Sequence, residues 1–324
     1  MKKIFIIICL AVLASFRLSA KASGFTSGNL VYNIVSEDEL TCEVGGMVGR
    51  HTMCDIPQIV ESGGNRFQVV GIGRNAFRCA RLQDVTLPAG LEYIGDYAFL
   101  GCRLKRIVIP STVMTIGRLA FYANKATELV IEDGLESLAG TRDEYTWWMP
   151  FHGNCIEKLY LGRNVSNSLL RNSLFMSLRE LIIGDMVTEL SWKALRPDAD
   201  TKLKMLAKLT VGSGLASLPF LNEGDSMVEI RVCSHTPLPA EGFNSCTFRF
   251  ATLYVPLSSK AKYQQATVWQ DFLKVSCPRM KPGVVDGMYG LDGWKNRVCD
   301  VGGLAAPAAG KGLLIRNGKK YISR

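Results

Sequence analysis

The chain has 324 residues, of which 48% are hydrophobic and 21% are charged, so it could form one elongated domain or two compact ones. Its formal net charge is +9, but the excess of basic residues lies at the two ends, and residues 23–280 hold 26 basic and 26 acidic side chains. Because a neutral body lacks the basic footprint of a nucleic-acid-binding protein, we expect no nucleic-acid partner.

Residues 1–22 have the pattern of a secretory signal peptide. Lys2 and Lys3 precede an apolar run, and Ala20 and Ala22 have the spacing of a signal-peptidase site. The apolar run is too short for a comfortable membrane span. We therefore expect cleavage near Ala22, export to the cell surface or the extracellular space, and no membrane span after cleavage.

Residues 23–70 are predicted to form an N-terminal β cap, because short apolar runs alternate there with Gly-containing turns. Nine cysteines remain after cleavage at Ala22, and an odd number leaves at least one free thiol or an intermolecular bond. Within the cap, Cys42 and Cys54 are the most plausible pair for a local disulfide.

Similar segments follow the cap at a fixed period. IGRNAFRCARLQDVTLP, IGDYAFLGCRLKRIVIP and IGRLAFYANKATELVIE begin at Ile72, Ile94 and Ile116, 22 residues apart. Each ends in an L-x-x-L-x-L template, which recurs five more times up to residue 255 at intervals of 21 to 30 residues. Such self-similarity is typical of a solenoid built from stacked repeats.

The fourth and sixth positions of the eight templates are all aliphatic, as expected for the buried face of one short parallel strand per repeat. The fourth positions are Val85, Ile107, Leu129, Leu159, Leu181, Leu209, Ile230 and Leu253, and the sixth are Leu87, Ile109, Ile131, Leu161, Ile183, Val211, Val232 and Val255.

An Ala-Phe pair in each of the first three repeats is predicted to fill the core opposite the strands, and Pro150-Phe151 takes the place of this pair later. Cys79 and Cys102 follow the phenylalanines. We interpret these two cysteines as small buried residues rather than as a disulfide between neighbouring repeats.

The IGxxAFxxCxL…IP units after a signal peptide resemble the BspA-type leucine-rich repeats of exported Bacteroidetes and spirochaete proteins. The resemblance covers roughly residues 30–275 and implies a mostly-β α/β solenoid, a leucine-rich-repeat horseshoe with an N-terminal and a C-terminal cap. Residues 250–272 resemble the closing segment of such proteins, in which Trp269 and Phe272 would cover the end of the core. We assign residues 71–275 to the repeats and their closing cap.

The third template position alternates in charge through seven repeats. Because parallel strands lie about 4.8 Å apart, each charge would lie between two opposite ones. We interpret these residues as a structural charge ladder that opposes slippage of the register, and not as a ligand site. The ladder consists of Asp84, Arg106, Glu128, Lys158, Glu180, Lys208 and Glu229.

The fifth template position is expected to face outward and to form an apolar and aromatic stripe. Such a stripe is a candidate protein-binding surface, although β-branched residues also suit any exposed strand. The candidate partner-binding residues of the stripe are Val108, Val130, Tyr160, Ile182, Arg231 and Tyr254.

A longer interval in the repeats contains the insertion AGTRDEYTWWMP. Insertions in solenoids map to loops and often have a function. Trp147 and Trp148 could anchor a partner, or they could fold back over an irregular repeat.

Residues 276–324 are predicted to form a linker and a small C-terminal β module. The segment begins with the Pro-containing stretch CPRMKPGVV. Its last 40 or so residues resemble a module that ends many exported Bacteroidetes proteins and that in some relatives directs secretion to the cell surface. Residues 281–324 are therefore a candidate sorting signal.

We find no pattern typical of an enzyme, and we expect no cofactor and no metal site. His51, His152 and His235 lie in unrelated units, without a metal-binding or nucleophile motif. The preferred function is that of an exported binding protein, a surface adhesin or interaction module that uses the concave strand face and the aromatic insertion. Its partner would be a macromolecule, a host or envelope protein. The alternative is a non-catalytic scaffold of the cell envelope.

Overall fold

The structure is a computed structural model that describes residues 24–140, 149–167, 169–170, 173–174 and 176–277, together with two strands near the C-terminus. The chain divides into two compact units, Met1–Ala126 with Ala139–Asn154 and Thr127–Leu138 with Cys155–Arg324. The signal peptide predicted for residues 1–22 lies outside the described residues, as do Trp147 and Trp148.

The first unit contains eleven strands among its described residues. They are β1 (Gly24–Ser27), β2 (Leu30–Ser36), β3 (Thr41–Met47), β4 (Met53–Asp55), β5 (Ile59–Ser62), β6 (Asn65–Ile72), β7 (Asp84–Thr86), β8 (Tyr93–Ile94), β9 (Arg106–Ile109), β10 (Thr115–Ile116) and β12 (Ala139–Gly140).

The first six strands form the predicted N-terminal β segment. β1, β2 and β3 pair antiparallel, β3 continues onto β6 in parallel, and β5 pairs antiparallel with β6. β4 instead pairs with β7 in a separate two-stranded sheet. Because β6 spans Asn65–Ile72, the boundary predicted between residues 70 and 71 lies inside a strand.

The Ile-Gly segments of the repeats form a second parallel ladder. β6, β8, β10 and β12 pair in that order, with Ile72 opposite Ile94 and Ile94 opposite Ile116. The sequence predicts one short strand per repeat, but these repeats contribute two. The addition follows from stacking, because any extended segment at the same place in successive repeats can pair with its copies.

The predicted core positions are buried in almost every repeat. Fourteen of the sixteen fourth- and sixth-position residues are at most 3% exposed. The exceptions are Val85 and Leu87 of the first repeat, which are half-buried. The predicted burial of these aliphatic positions is thus confirmed from the second repeat onward.

Four phenylalanines stack on the other side of the first unit's core. Neighbouring rings from Phe77 through Phe99 and Phe121 to Phe151 have centroids 5.0, 5.1 and 5.4 Å apart and are inclined by 7°. All four side chains are at most 1% exposed. This confirms that Pro150-Phe151 replaces the Ala-Phe pair.

After three of the four phenylalanines, the side chain of the third following residue bonds the backbone of the preceding repeat. The Asn124 side chain accepts from Leu104 N at 3.0 Å and donates to Phe99 O at 2.8 Å. Asn154 makes the equivalent bonds to Ala126 N and Phe121 O. Cys102 holds the same position and its thiol donates to Phe77 O at 3.0 Å. These side chains satisfy buried backbone groups where the chain turns.

Each of the first three turns on this side contains two residues with positive φ, and the fourth turn contains one. The first precedes the alanine and is Asn75, Tyr97 or Leu119. The second lies two residues after the phenylalanine and is Cys79, Gly101, Ala123 or Gly153 in successive repeats. Glycine adopts this conformation without steric cost, whereas a side chain with a Cβ is strained there.

The second unit contains a parallel sheet and a C-terminal hairpin. Its strands are β11 (Glu128–Ile131), β13 (Lys158–Leu161), β14 (Glu180–Ile183), β15 (Lys208–Val211), β16 (Glu229–Val232), β17 (Thr252–Tyr254), β18 (Lys274–Ser276), β19 (Leu313–Arg316) and β20 (Lys319–Ile322). Strands β11 and β13–β18 pair in sequence order, all in parallel. β19 and β20 are antiparallel.

Short helical segments connect these strands. They are α1 (Trp192–Leu195), α2 (Ser245–Phe250), α3 (Lys260–Tyr263) and the 3₁₀ turns Leu257–Ser259 and Trp269–Asp271. The mostly-β solenoid architecture is confirmed in each unit by parallel strands that stack one repeat on the next.

The closing segment contains one strand more than the sequence predicts. Trp269 and Phe272 are buried as expected, and Trp269 Nε1 donates to Leu238 O at 2.7 Å. The chain then continues into β18, with Lys274 opposite Thr252. FLKVSC keeps the spacing of the template but ends in Ser and Cys, so its aliphatic pattern is weak.

The predicted disulfide between Cys42 and Cys54 is wrong, because both residues are free, buried thiols. Cys42 lies on β3 in the large sheet, whereas Cys54 lies on β4 in the separate two-stranded sheet. Cys79 and Cys102 are also free, in agreement with the prediction, although Cys79 is exposed rather than buried.

Glycine at position 123 should stabilise the protein. Ala123 has a φ of 54°, and two of the three equivalent residues are glycine. We expect Ala123→Gly to raise the free energy of unfolding by about 0.5–1 kcal/mol, measured by urea denaturation. Ala98→Gly is the matched control and should lower it, because Ala98 is buried and is not a positive-φ residue. Losses of equal size in both variants would contradict the conformational argument.

Alkaline pH should destabilise the protein through its buried thiols. Burial raises the pKa of Cys102 from 9.0 to about 12. The folded chain therefore keeps a proton above pH 9.0 that the unfolded chain has released, and this contribution to stability, complete below pH 9.0, is lost as the pH rises towards about 12. In Cys102→Ala the free energy of unfolding should fall less steeply with pH, by at most about 1.4 kcal/mol per pH unit. Cys79→Ala controls for loss of a thiol, and an identical slope in all three proteins would refute the effect.

Candidate binding surface

The fifth template positions of the second unit form one row across the parallel sheet. We call this row the outer stripe. The pairing register places each member directly opposite the next one, from β11 to β17. The outer stripe consists of Val130, Tyr160, Ile182, Thr210, Arg231 and Tyr254.

Most of the outer stripe is half-buried, but Val130 is not exposed as the sequence predicts. Tyr160, Ile182, Thr210, Arg231 and Tyr254 have intermediate exposure, whereas Val130 is 1% exposed. The expectation for Val130 is therefore wrong. Its neighbour on the next strand is Tyr160, whose hydroxyl bonds Asp133 just after the end of β11. Val108 is half-buried on β9, in the first unit.

Tyr160 is anchored by an aspartate that the sequence did not single out. Its hydroxyl donates to Asp133 Oδ1 at 2.6 Å, and both residues are half-buried. Asp133 follows β11 by two residues, outside the six-residue template. Asp185 holds the same place after β14, but Arg163 and Ser213 hold it after β13 and β15, so the position shows no regular pattern along the repeats. A hydrogen bond to a carboxylate is one of the stronger kinds, so this contact fixes the direction of the ring.

Arg231 and Tyr254 form a cation–π pair at the other end of the outer stripe. The Arg231 guanidinium carbon lies 4.9 Å from the centre of the Tyr254 ring. Arg231 Nε also lies 2.7 Å from Glu229 Oε1, two residues earlier on the same strand. The carboxylate and the ring together hold a planar cation on the surface, and Arg and Tyr are the residue types enriched in interface hot spots.

The predicted charge ladder is in register within the second unit. Glu128, Lys158, Glu180, Lys208 and Glu229 lie opposite one another on consecutive strands. Lys158 Nζ and Glu180 Oε2 form an ion pair at 3.8 Å. Glu229 turns instead to Arg231. Asp84 and Arg106 lie on β7 and β9 of the first unit.

Three further features of the described residues bear on other kinds of function: groups of metal-binding side chains, the contacts of the histidines and the length of the helices. No three His, Cys, Asp or Glu side chains there are grouped as ligands for a metal ion. His51 contacts Val48 O, the His152 ring stacks on Tyr122, and His235 contacts Ser258 Oγ, so the three histidines lie in separate contacts. No helix among the described residues is long and apolar enough to cross a membrane.

Comparison with known families bears on the repeats directly. Residues 70–141 match the model of the BspA type leucine rich repeat region, in six copies. This stretch is therefore similar to BspA-type leucine-rich repeats. A search of curated proteins finds no match to the chain.

Solved structures with similar folds are bacterial leucine-rich repeat proteins. One from Bacteroides capillosus is 22% identical, with a TM-score of 0.34 and coverage of 44% of this chain and 99% of that one. A leucine rich cell surface protein from Faecalibacterium prausnitzii is 14% identical, with a TM-score of 0.31 and coverage of 81% and 97%. The leucine rich repeat protein of T. pallidum is 17% identical, with a TM-score of 0.37 and coverage of 78% and 98%. With TM-scores this low, the likenesses say nothing about the ligand of this chain.

BspA-type repeats build a protein-interaction module, since stacked repeats present an extended row of strand residues to a partner. Such repeats are typically non-catalytic. The matched stretch ends before most of the outer stripe, whose strands continue the same stacking in the second unit.

Removing the Tyr160 hydroxyl should destabilise the repeats while leaving the ring in place. We expect Tyr160→Phe to lower the free energy of unfolding by about 1–3 kcal/mol, because the half-buried Asp133 loses its charge-assisted bond. Tyr254→Phe is the matched control, since the Tyr254 ring is held by Arg231. Its effect should stay within about 0.5 kcal/mol in chemical denaturation. Equal effects of the two substitutions would show that the Asp133 bond contributes nothing.

Proposed function

We propose that this protein is an exported adhesin that binds a host or envelope protein through the outer stripe. The observation that carries the proposal is the row Tyr160–Ile182–Thr210–Arg231–Tyr254, which lies in register on five neighbouring strands and is only half-buried. It combines aromatic, aliphatic and guanidinium groups, the composition of a protein-binding hot spot.

The outer stripe is also preorganised. Tyr160 is held by Asp133, and Arg231 is held by Glu229 and by the Tyr254 ring. Side chains that are already fixed lose little conformational entropy when a partner arrives, so more of the contact energy appears as affinity. The charge ladder beside the stripe contains residues of both signs, which gives it little net field for attracting a charged ligand.

Export is the second part of the proposal. It is supported by the signal-peptide pattern of residues 1–22 and by the type of repeat in residues 70–141. Residues 281–324 are proposed as the sorting segment for the cell surface. Trp147 and Trp148 are proposed as further partner contacts on sequence grounds.

Truncating the Arg231–Tyr254 pair at the end of the outer stripe should weaken binding. We expect the double variant Arg231→Ala/Tyr254→Ala to raise Kd by about tenfold or more for at least one member of a panel of immobilised extracellular-matrix proteins, measured by biolayer interferometry. The matched control is Arg249→Ala/Phe250→Ala, which removes an exposed cation–π pair that lies outside the stripe, with 5.5 Å between guanidinium carbon and ring centre.

Two outcomes would overturn the proposal. Equal losses in both double variants would place the binding surface elsewhere, and no saturable binding to any matrix or envelope protein would favour the scaffold alternative. Protease treatment of intact cells that produce the full chain tests export separately, because a protein kept inside the cell would resist digestion.

A further inference from the structure

A second charged surface lies on the turn side of the first unit. Arg81, Arg103 and Lys125 occupy the same position in three successive repeats, four residues after the phenylalanine of each. We call these three residues the basic column. All three are exposed. The fourth repeat has Cys155 at this position, so the column ends there.

The repeat stacking holds the basic column in line. Arg103 N donates to Leu82 O at 2.8 Å, and Lys125 N donates to Leu104 O at 3.1 Å, so each basic residue is bonded to the residue that follows its predecessor. The phenylalanines beneath them are stacked at 5.0 and 5.1 Å. The three cations therefore leave the backbone at intervals of one repeat, about 4.8 Å.

Nothing in the described part of the chain neutralises the column. Arg81, Arg103 and Lys125 form no ion pair with any described acidic residue. Residues 72–126 contain eight Lys or Arg and three Asp or Glu, a net charge of +5. The third template position of the same protein alternates in sign, whereas this position repeats one sign.

The surroundings of the column add positive charge. Arg74 and Arg78 are exposed and lie with Arg118 around Tyr97, at 5.6, 6.0 and 5.9 Å from the ring centre. Arg118 is paired with Asp96, but Arg74 and Arg78 form no ion pair among the described residues. Stacked like charges are unfavourable in the free protein, so a partner that neutralises them gains affinity from relieving the repulsion.

We propose that the basic column docks an acidic α-helix of a partner protein. A helix rises about 5.4 Å per turn, so glutamates or aspartates at i, i+4 and i+7 recur at nearly the interval of the repeats. Across three repeats, the span of the three carboxylates exceeds the span of the three basic residues by about 1 Å, which the long Arg and Lys side chains can accommodate. Each turn of the helix would then place one carboxylate against one repeat.

Other polyanions fit these observations less well. An extended polypeptide presents side chains on one face every 6.8 Å or so, which loses register with the column after a single repeat. Single-stranded nucleic acids bind surfaces where aromatic rings stack on successive bases, and the basic column contains no aromatic residue. A sulfated polysaccharide is distinguished from the acidic helix by experiment.

This surface is independent of the proposed adhesin function. The basic column belongs to the first unit and lies on turns, whereas the outer stripe belongs to the second unit and lies on strands. Failure of either binding experiment therefore leaves the other proposal standing.

The experiment compares two synthetic alanine-based helical peptides with the purified protein. One carries glutamates on a single face at i, i+4 and i+7 spacing, and the other has the same composition with its glutamates distributed around the helix. By fluorescence anisotropy at low salt, the one-faced peptide should bind about tenfold more tightly. The preference should disappear in Arg81→Gln/Arg103→Gln/Lys125→Gln.

The matched control is Lys202→Gln/Lys204→Gln/Lys262→Gln, which removes three exposed cations elsewhere and should keep the preference. The column variant should unfold at or above the wild-type temperature, because it removes repulsion. If it fails to fold, the single variant Arg103→Gln tests the centre of the column.

Three results would overturn the proposal: equal affinity for the two peptides, an undiminished preference in the column variant, or an equal loss in the control. Binding of a heparin fragment that is lost in the column variant, with no preference between the peptides, would assign the surface to sulfated polysaccharides instead.

Discussion

The stacking of one repeat on the next at the spacing of paired β-strands is the constraint on which the structure depends. A single repeat of about 22 residues cannot bury its own apolar side chains, so each repeat completes the core of its neighbour. In-register pairing at about 4.8 Å then brings identical positions together in every repeat. Within each unit the aliphatic positions line the core, and in the first unit the phenylalanines Phe77, Phe99, Phe121 and Phe151 become a single stack.

The turns that join the strands in the first unit adopt strained backbone conformations. Two residues in each of the first three turns of the first unit have positive φ, and five of these six residues have side chains. Buried backbone groups at the same turns would be left without partners, and Asn124, Asn154 and Cys102 supply the missing hydrogen bonds. The packing of the phenylalanines offsets much of this strain, because fully burying a Phe side chain contributes about 1.5–3 kcal/mol and a left-handed residue with a Cβ costs about 1–2 kcal/mol.

Stacking also places equivalent surface positions of successive repeats in a column, and the residue types at that position decide which interactions the column can make. On the strands, the third position alternates in sign, and we expect it to oppose slippage of the register. The fifth position forms the outer stripe, fixed at its ends by Asp133 and by the Arg231–Tyr254 pair. On the turns, Arg81, Arg103 and Lys125 repeat one charge. The two columns proposed to bind partners are thus the half-buried outer stripe and the exposed basic column.

The sequence by itself determined the parallel strands, the aliphatic core, the phenylalanine positions and the register of the charged residues, because all of these follow from residue spacing. Only the tertiary structure decided that Cys42 and Cys54 lie on different sheets, that Val130 is buried and that Asp133 anchors Tyr160. The second ladder of Ile-Gly segments and the strand Lys274–Ser276 likewise emerged only from the fold. The physical reason is that periodicity specifies which positions meet, whereas the burial and hydrogen bonding of an outward-facing side chain depend on the particular side chains that its neighbouring repeats place beside it.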